Sequence, residues 1–316
     1  MALFSYIESF IKTVEHAAYG ASLYKGKNDK NAADQAAVDR MRNQLNKISM
    51  NGRIVIGEGE LDEAPMLYIG EKVGKEPKES DREFDIAVDP LEGTNFVAKN
   101  LPNALSVIAV TKKGNLLHAP ETYMEKIAIG PGLPNKLIDL DFTVNKNIKL
   151  LADAKKTSPD KLTACVLERQ RHNQIVDSLN LMGVKINFIT DGDVAGVISV
   201  AEPKLKIDIY IGIGGSPEGV LAAAALSCLG CQMQARLVFQ NDSERERAKK
   251  VGIENLNKKY NIEDMVKDDV IFCATGITDG DLVKGIKDSG DYFNAETLLL
   301  HKKTGTNKIV KNKVEK

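Results

Sequence analysis

The sequence predicts an α/β protein built from layers of helix and sheet. Short apolar runs rich in β-branched residues, as expected of buried strands, recur at residues 53–56, 84–88, 105–110, 184–189, 207–211 and 270–273. Segments with the apolar spacing of amphipathic helices occur at residues 29–47, within 160–181, and at 193–201, 217–229 and 243–255. This alternation is typical of layered α/β folds.

Chain length sets limits on the domain organisation. The chain has 316 residues, enough for one large α/β domain or for two closely joined halves. A loose stretch at residues 131–160, which contains lysine, asparagine and proline, predicts a junction. We therefore expect an N-terminal half over 1–150 and a C-terminal half over 151–316, packed together as one unit.

Charge and cysteine content exclude several classes of protein. The net charge of −1 gives no overall field that would draw the protein to nucleic acid or to an anionic membrane. Four cysteines are too few for a disulfide framework and fit a reducing compartment. The longest apolar run is too short to span a bilayer, and the opening residues lack the basic region of a targeting signal. We expect a cytoplasmic protein without nucleic-acid or membrane partners.

One predicted helix carries an acidic residue on its apolar face. Asp34 falls in the helical spacing of the apolar residues that follow it, Ala37, Val38 and Met41. A carboxylate in that position is costly to bury without a cation or several hydrogen-bond donors. Two interpretations remain open, an ion pair with Lys30 one turn earlier and ligation of a metal ion.

A second acidic segment follows the predicted strand at 53–56. The strand leads into a glycine-flanked Glu58, after which Glu60, Asp62 and Glu63 follow closely. Like charges packed beside a glycine turn repel one another, and a divalent cation would relieve that repulsion. Glu58 comes directly after the strand and is therefore expected to point into a cleft at the sheet edge.

The third acidic segment is the most specific. Asp89 falls at the carboxyl end of an apolar strand, where open α/β sheets bind ligands. Pro90 and Gly93 form a tight turn that would let Asp89 and Glu92 converge on one ion and would bring the Thr94 hydroxyl to the same place. Ligands that are all oxygen favour Mg²⁺ or Mn²⁺ over zinc.

A glycine-rich segment leads from a strand into a helix. Gly212, Gly214 and Gly215 would let backbone N–H groups approach an anion at the helix start, and Ser216 is the expected N-cap. The spacing is not that of a dinucleotide-binding fingerprint. Glu218 in the first helical turn either complements the helix dipole or binds a metal that also contacts a phosphate.

Two further polar segments each end an apolar stretch. Arg169 and Arg171 suit the distal phosphate of a bisphosphate, because the planar guanidinium binds two oxygens at once. Asp191 and Asp193 would accept hydrogen bonds from sugar hydroxyls. Each segment taken alone would more often be surface charge.

Together the acidic segments resemble the lithium-sensitive phosphatase superfamily, and within it the class II fructose-1,6-bisphosphatases of the GlpX type. The matching strings are 29–34, 55–60, 62–71, 85–94, 123–126, 191–193 and 212–219. The similarity extends over nearly the whole chain, as far as residues 274–282. The resemblance implies an αβαβα sandwich of the sugar phosphatase type, with the main metal and catalytic motifs in the N-terminal half. The sugar-phosphate contacts and the glycine-rich loop would lie in the C-terminal half.

The resemblance also implies roles for single residues. The implied metal ligands are Asp34, Glu58, Asp89, Glu92 and Glu218. The residues that would serve catalysis are Lys30, Asp62 and Thr94. The residues that would hold substrate are Glu92, Gly93, Thr94, Tyr123, Arg169, Arg171, Asp191, Asp193 and Gly215. The chain departs from the family at Arg169, where lysine is usual, so the charge is kept but the contact geometry differs; Ser216 stands where alanine is common.

The implied reaction is hydrolysis of the 1-phosphate of fructose 1,6-bisphosphate to fructose 6-phosphate, a step of gluconeogenesis, with Mn²⁺ or Mg²⁺ as cofactor. Thr94, paired with Asp62, would orient the attacking water or take its proton. Sedoheptulose 1,7-bisphosphate is a second implied substrate. The amphipathic first helix and the habit of the family suggest a homodimer or homotetramer.

Three alternatives stay open. Two belong to the same superfamily, an inositol monophosphatase-like enzyme and a nucleotide 3′-phosphatase. The third is a sugar-phosphate-binding regulator without turnover. The full set of acidic residues argues against a regulator, because a sensor needs no pair of groups to activate water.

Overall fold

Residues 3–59, 66–75 and 83–316 are described in the computed structural model, and they form two mixed β-sheets with helices packed on them. The strands, in chain order, are β1 (Asn51–Ile56), β2 (Lys72–Val73), β3 (Glu83–Glu92), β4 (Leu105–Lys112), β5 (Tyr123–Ile129), β6 (Thr163–Leu167), β7 (Lys185–Ile189), β8 (Ile209–Gly215), β9 (Gln232–Val238), β10 (Tyr260–Asn261), β11 (Val270–Gly276), β12 (Lys287–Ser289), β13 (Tyr292–His301) and β14 (Thr306–Glu315). The helices are α1 (Ile7–Ser22), α2 (Lys30–Leu45), α3 (Thr94–Ala98), α4 (Val144–Ala154), α5 (Asn173–Leu181), α6 (Asp193–Ile198), α7 (Ser216–Leu229), α8 (Asp242–Lys250) and α9 (Ile262–Met265). The predicted α/β class is confirmed.

The chain divides into two compact units whose boundaries differ from the expected halves. Unit 1 comprises Met1–His118 and Val266–Lys316, and unit 2 comprises Ala119–Met265. The C-terminal segment returns to unit 1 because β11 pairs antiparallel with both β4 and β13. The stretch 131–160, which we expected to join the halves, lies inside unit 2 and contains α4.

Unit 1 is organised around a sheet with the strand order β12-β13-β11-β4-β3-β1-β2, in which β14 pairs with β13. β1 runs parallel to β3, while the other pairings are antiparallel. α1 packs on this sheet through Phe10 and Val14, which share one core with Phe84, Ile271 and Phe293. The amphipathic first helix therefore buries its apolar face within its own unit.

Unit 2 is organised around a sheet with the strand order β10-β9-β5-β8-β6-β7. Ile127 of β5 packs in a core with Ile148 of α4, whereas Met124 of the same strand lies against Gly219 of α7. Residues separated by an odd number along a strand face opposite sides of the sheet. Helices therefore cover both faces of β5, with α4 on one side and α7 on the other.

The six strands predicted from sequence are all present, as β1, β3, β4, β7, β8 and β11. The helix expected at 243–255 is shorter, Asp242–Lys250, and the one expected at 193–201 ends its α-helical part at Ile198. Strands β5, β6, β9 and β13 are among those that were not predicted. Among the described residues, no helix combines the length and the hydropathy needed to cross a membrane.

Two neighbouring residues of α1 are buried with pKa values shifted by the same cause. Burial raises the pKa of Glu15 from its ordinary value of 4.5 to about 7, although Nδ2 of Asn312 donates a hydrogen bond to it at 2.8 Å. Burial lowers the pKa of His16 from 6.5 to about 4. Between pH 4.5 and pH 6.5 the folded protein keeps a proton on Glu15 that the unfolded chain would release. Over the same range His16 stays neutral in the folded protein, whereas the unfolded chain would bind a proton there. Their effects on stability therefore oppose each other.

Glu15→Gln is expected to stabilise the protein at about pH 8 and to have little effect at about pH 4. Glu15 is 2% exposed, and its stabilising contribution is complete below pH 4.5 and lost as the pH rises towards about 7. The neutral amide avoids that loss, which amounts to about 3 kcal/mol in the free energy of unfolding. Urea unfolding of both proteins at the two pH values measures the difference. An equal difference at both values would contradict the burial of an ionisable Glu15.

Candidate active site

Helix α2 of unit 1 places Asp34 at the margin of its buried face. Ala33, Ala37 and Met41 form the buried stripe, and Asp34 beside them is half-buried. Lys30 is exposed at the start of the helix, and the ion pairs formed among the described residues do not include one between Lys30 and Asp34. Burial raises the pKa of Asp34. The carboxylate thus lacks the lysine partner that was one of its two interpretations, and a bound cation would favour its charged form.

Glu58 lies two residues beyond the end of β1, in a turn fixed by backbone contacts. Its amide donates to the carbonyl oxygen of Leu67 at 3.0 Å. Gly57 lies so close to the same carbonyl that a Cβ there would overlap it, and Gly59 has a φ of +119°. The turn therefore requires glycine on both sides of Glu58. Asp62, predicted to act in catalysis, lies outside the described residues.

A bulge in β3 brings two predicted metal ligands to one face of the sheet of unit 1. Asp89 lies opposite Val107 of β4, and Glu92 lies opposite Leu105, so three steps along β3 match two along β4. Residues two apart on a strand share a face, and directly opposed residues do so as well. Asp89 and Glu92 therefore face the same side, which regular alternation would not allow.

The turn after this bulge ends in a short helix. Gly93 adopts a φ of +84°, in the left-handed region, and α3 begins at Thr94. Oδ1 of Asp89 accepts a hydrogen bond from the amide of Leu91 at 3.1 Å, and Glu92 is 5% exposed. The strand predicted to end at Asp89 continues to Glu92, so the predicted turn is found only at Gly93, which supplies the backbone conformation that other residues rarely adopt.

In unit 2 the glycine-rich segment continues strand β8 as far as Gly215. Gly215 pairs with Tyr123 of β5 and occupies the position before α7, so Ser216 is the first helical residue and not the cap we predicted. The hydroxyl of Ser216 instead donates to the carbonyl oxygen of Pro120. The pairing with β5 explains why the segment is a strand end and not an open loop.

Glu218 lies in the first turn of α7 with one oxygen unpaired. Among the described residues, Oε2 of Glu218 has no hydrogen-bond partner, and the atom is buried. It lies against Gly215, where a Cβ would overlap it. Burial raises the pKa of Glu218, although the charge of Lys126 opposes that shift. Gly215 is thus required to make room for a carboxylate.

A buried ionic network connects β5, α6 and β8 in unit 2. Nζ of Lys126 donates to Oδ2 of Asp193 and, at 2.8 Å, to the carbonyl oxygen of Gly215. The hydroxyl of Tyr210 donates to Oδ1 of Asp193. Gly214 faces the same carboxylate, and a Cβ there would overlap Oδ2. Both oxygens of Asp193, a predicted sugar contact, therefore accept hydrogen bonds from within the unit.

The second predicted arginine lies beside the end of β8. Nε and Nη2 of Arg171 donate to the carbonyl oxygen of Ile213 at 3.1 and 2.8 Å, and its guanidinium carbon lies 4.7 Å from the ring centre of Tyr123. His172 accepts a hydrogen bond from the amide of the same Ile213 at 2.7 Å. The structure thus brings Arg171, Tyr123 and the glycine-rich segment together. The backbone carbonyl and amide of Ile213 are both hydrogen-bonded, the first to Arg171 and the second to His172.

The first predicted arginine lies on the neighbouring loop. Nη1 of Arg169 donates to the carbonyl oxygen of Glu168, and Nη2 donates to that of Thr190, each at 2.9 Å. Thr190 precedes Asp191, which is half-buried. Arg169 and Asp191 are therefore near neighbours on the surface of unit 2.

The hydrogen bonds that Lys126 and Tyr210 donate to Asp193 were not predicted, because Asp193 is distant from both in sequence.

The residues present fit a hard divalent cation in their chemistry. Over the ranges that the structure describes, no three histidine, cysteine, aspartate or glutamate side chains form a ready metal-binding group. The unpaired Oε2 of Glu218 and the burial of Asp34 nevertheless leave carboxylate charge without full compensation inside each unit. The predicted ligands are all oxygen, which is the donor set that Mg²⁺ and Mn²⁺ prefer.

Comparison with known proteins decides the family. Residues 5–314 match the family model described as bacterial fructose-1,6-bisphosphatase, glpX-encoded. The chain belongs to this family. It is 43% identical to a class 2 fructose-1,6-bisphosphatase of Haemophilus influenzae, with 94% of this chain and 92% of the relative covered. It is also 43% identical to fructose-1,6-bisphosphatase 1 class 2 of Escherichia coli, with 94% and 91% covered.

A relative with a broader name and two solved structures complete the comparison. A Synechococcus protein, 40% identical over 95% of this chain and 92% of its own length, is named D-fructose 1,6-bisphosphatase class 2/sedoheptulose 1,7-bisphosphatase. The extragenic suppressor protein SuhB of Bartonella henselae is 12% identical with a TM-score of 0.35, and covers 63% of this chain and 72% of that one. An inositol monophosphatase from Anabaena is 14% identical with a TM-score of 0.33, covering 63% and 71%. At these scores the structural likeness carries no argument.

Family membership confirms the predicted enzyme class. The family is one of phosphatases acting on fructose 1,6-bisphosphate, so the predictions of a phosphoric monoester hydrolase and of its gluconeogenic reaction are confirmed at the level of the family. Membership also supports dependence on a divalent metal. The roles of single residues remain predictions.

Proposed function

We propose that this protein hydrolyses the 1-phosphate of fructose 1,6-bisphosphate with the residues assigned above. Membership of the glpX-encoded family is the observation that carries the proposal. The proposed ligands of the divalent ions, Mg²⁺ or Mn²⁺, are carboxylates. In unit 1 they are Asp34, Glu58, Asp89 and Glu92, and in unit 2 the ligand is Glu218. When bound, the ion supplies Lewis-acid chemistry, lowering the pKa of water and neutralising charge on phosphate oxygens.

The reacting groups in unit 1 are proposed to be Thr94, Asp62 and Lys30. The Thr94 hydroxyl orients the attacking water, and Asp62 takes the proton that passes through that hydroxyl. Lys30 is exposed at the first residue of α2, so its ammonium is free to approach an oxygen on which charge develops. The bulge between Asp89 and Glu92 supports this arrangement because it leads directly into Thr94.

Unit 2 is proposed to bind the sugar and its distal phosphate. Arg171, stacked on Tyr123, and Arg169 present N–H groups to the 6-phosphate. Asp191 accepts a hydrogen bond from a sugar hydroxyl. Asp193 accepts another with the lone pairs that its hydrogen bonds from Lys126 and Tyr210 leave unused. Gly215 is proposed to contact substrate through its backbone, since the side on which a Cβ would lie is taken by Glu218.

The test is a phosphate-release assay over a panel of esters with added Mn²⁺ or Mg²⁺. We expect fructose 1,6-bisphosphate to be hydrolysed with the highest kcat/KM, and fructose 1-phosphate more slowly because it lacks the group bound by the arginines. Inositol 1-phosphate and adenosine 3′,5′-bisphosphate represent the two alternative enzymes, and EDTA should abolish turnover. Preferred hydrolysis of either alternative, or full activity with EDTA, would contradict the proposal.

Sedoheptulose 1,7-bisphosphate is proposed as a second substrate. The Synechococcus relative that carries both names supports it, since it matches over nearly its whole length. Arg169 and Arg171 are exposed, so a phosphate one carbon further along the sugar chain can also approach them. Cytoplasmic location and assembly as a homodimer or homotetramer stay predictions from the sequence.

A further inference from the structure

Lys126 is a buried lysine that the proposed reaction leaves without a role. It lies in β5, an interior strand between β8 and β9, and is 1% exposed. Lysine is rarely buried unless its charge is paired, because removing an ammonium group from water is costly. Asp193, itself 7% exposed, provides the pairing carboxylate. An ion pair of this kind adds little net stability compared with apolar residues of similar volume, which makes a role beyond stability worth testing.

The partners of Lys126 lie around the residues that hold Glu218. Its ammonium donates to the carbonyl oxygen of Gly215, the last residue before α7. The stem of the side chain lies near Gly219, where a Cβ would be 3.4 Å from Cδ of Lys126. Glu218 stands between these two contacts in the sequence, and its Oε2 presses on Gly215. Lys126 therefore contacts the chain on both sides of Glu218.

Asp193 fixes the ammonium group in turn, and Tyr210 adds a further hydrogen bond to its carboxylate without contacting Lys126 through that bond. Asp193 begins α6, directly after Gly192 with a φ of +78°, so its backbone is set by a left-handed glycine. Tyr210 is fully buried in β8 and holds the other carboxylate oxygen. The ammonium of Lys126 thus has a defined position relative to α6 and β8. Its hydrogen bond to the carbonyl oxygen of Gly215 holds that residue in place as well.

The geometry points to Lys126 as the positioning residue of the metal ligand Glu218, holding Gly215 and the first turn of α7 so that the carboxylate keeps one orientation. This inference rests on the proposed function, in which Glu218 binds the divalent ion. Groups that orient a metal ligand without touching the metal typically change metal affinity or activity by about 10- to 100-fold when they are replaced.

The decisive variant is the double replacement Lys126→Met with Asp193→Asn. Lys126→Met alone would leave a buried unpaired carboxylate and could prevent folding, whereas the double variant removes one positive and one negative charge together. The net charge of the pair is then unchanged, and the loss of the Gly215 anchor remains. We expect the dissociation constant for Mn²⁺, measured by calorimetric titration of the metal-free protein, to rise about 10- to 100-fold. Circular dichroism should show the fold retained.

Tyr210→Phe is the matched control. It removes the other hydrogen bond to Asp193 while leaving Lys126 and Gly215 in contact. We expect it to lower the melting temperature and to leave the Mn²⁺ dissociation constant within about threefold of wild type, below the range expected for a positioning group. Unchanged Mn²⁺ affinity in the double variant, or an equal loss in Tyr210→Phe, would overturn the inference.

The Mn²⁺ titration also separates this inference from the proposed function. Absence of phosphate release by the wild-type protein with Mn²⁺ would contradict the proposed function and would leave the positioning role of Lys126 to be decided by the titration. If the wild-type protein binds Mn²⁺ and the double variant binds it as tightly, the positioning role of Lys126 fails whatever the substrate is.

Discussion

Glu218→Gln is expected to lower kcat/KM for fructose 1,6-bisphosphate by roughly 10³-fold, which corresponds to about 4 kcal/mol of transition-state stabilisation. The amide has the size of the carboxylate but lacks its charge, so a divalent cation would lose one anionic ligand. The substitution leaves room at Gly215 and introduces no larger group. The loss of activity would therefore come from the chemistry of the side chain and not from altered packing.

The same substitution is expected to stabilise the metal-free protein. Burial raises the pKa of Glu218, so its charged form destabilises the folded state. The folded protein keeps the proton longer than the unfolded chain does, and stability falls as the pH rises above the ordinary value of 4.5. The variant should thus melt at a higher temperature than wild type at neutral pH without metal, and the difference should shrink in acid.

Thermal unfolding with and without Mn²⁺, together with initial rates of phosphate release, measures both effects. Glu254→Gln is the matched control, because it makes the same chemical change at an exposed position of unit 2. It should alter neither activity nor melting temperature. Glu218→Gln with wild-type kcat/KM would remove Glu218 from the proposed ligands. A lower melting temperature of the metal-free variant would contradict the incompletely compensated burial of its carboxylate.

The sequence alone predicted those features of the structure that depend on residues adjacent in the chain. The turn at Gly93 was predicted because a glycine after a strand specifies it locally, whereas Pro90, expected in the same turn, lies within β3. The bulge that turns Asp89 and Glu92 to the same face was not predicted, because it is a property of the pairing with β4. Register between strands depends on both partners, and a single strand does not reveal it.

Long-range pairing also accounts for what the sequence did not reveal. From the sequence alone Lys126 cannot be distinguished from an ordinary polar residue of a strand, because its partner Asp193 lies 67 residues away. The glycines before α7 were interpreted as room for an anion, whereas Gly214 and Gly215 make room for the carboxylates of Asp193 and Glu218. The division of the chain failed to follow the expected boundary for the same reason, because β11 pairs with a strand from the first part of unit 1.

Replacing Thr94 by valine is expected to lower kcat for fructose 1,6-bisphosphate by about 10²- to 10⁴-fold, the range associated with a positioned group that transfers a proton. Valine keeps the shape of threonine and removes the hydroxyl. The start of α3 does not depend on that hydroxyl, because the carbonyl of Gly93 accepts from the amide of Phe96 at 2.8 Å and no side chain caps the helix. The fold should therefore persist in the variant.

Thr94→Ser supplies the control that separates the hydroxyl from the methyl group. Serine keeps the oxygen, so kcat should stay within about tenfold of wild type, since the loss of one methyl group costs only about 1 kcal/mol of packing. KM should change little in either variant if Thr94 acts on water and not on substrate binding. Steady-state rates at saturating metal give both constants. Equal activities of the valine and serine variants would assign Thr94 to packing, and an increase confined to KM would assign it to substrate binding.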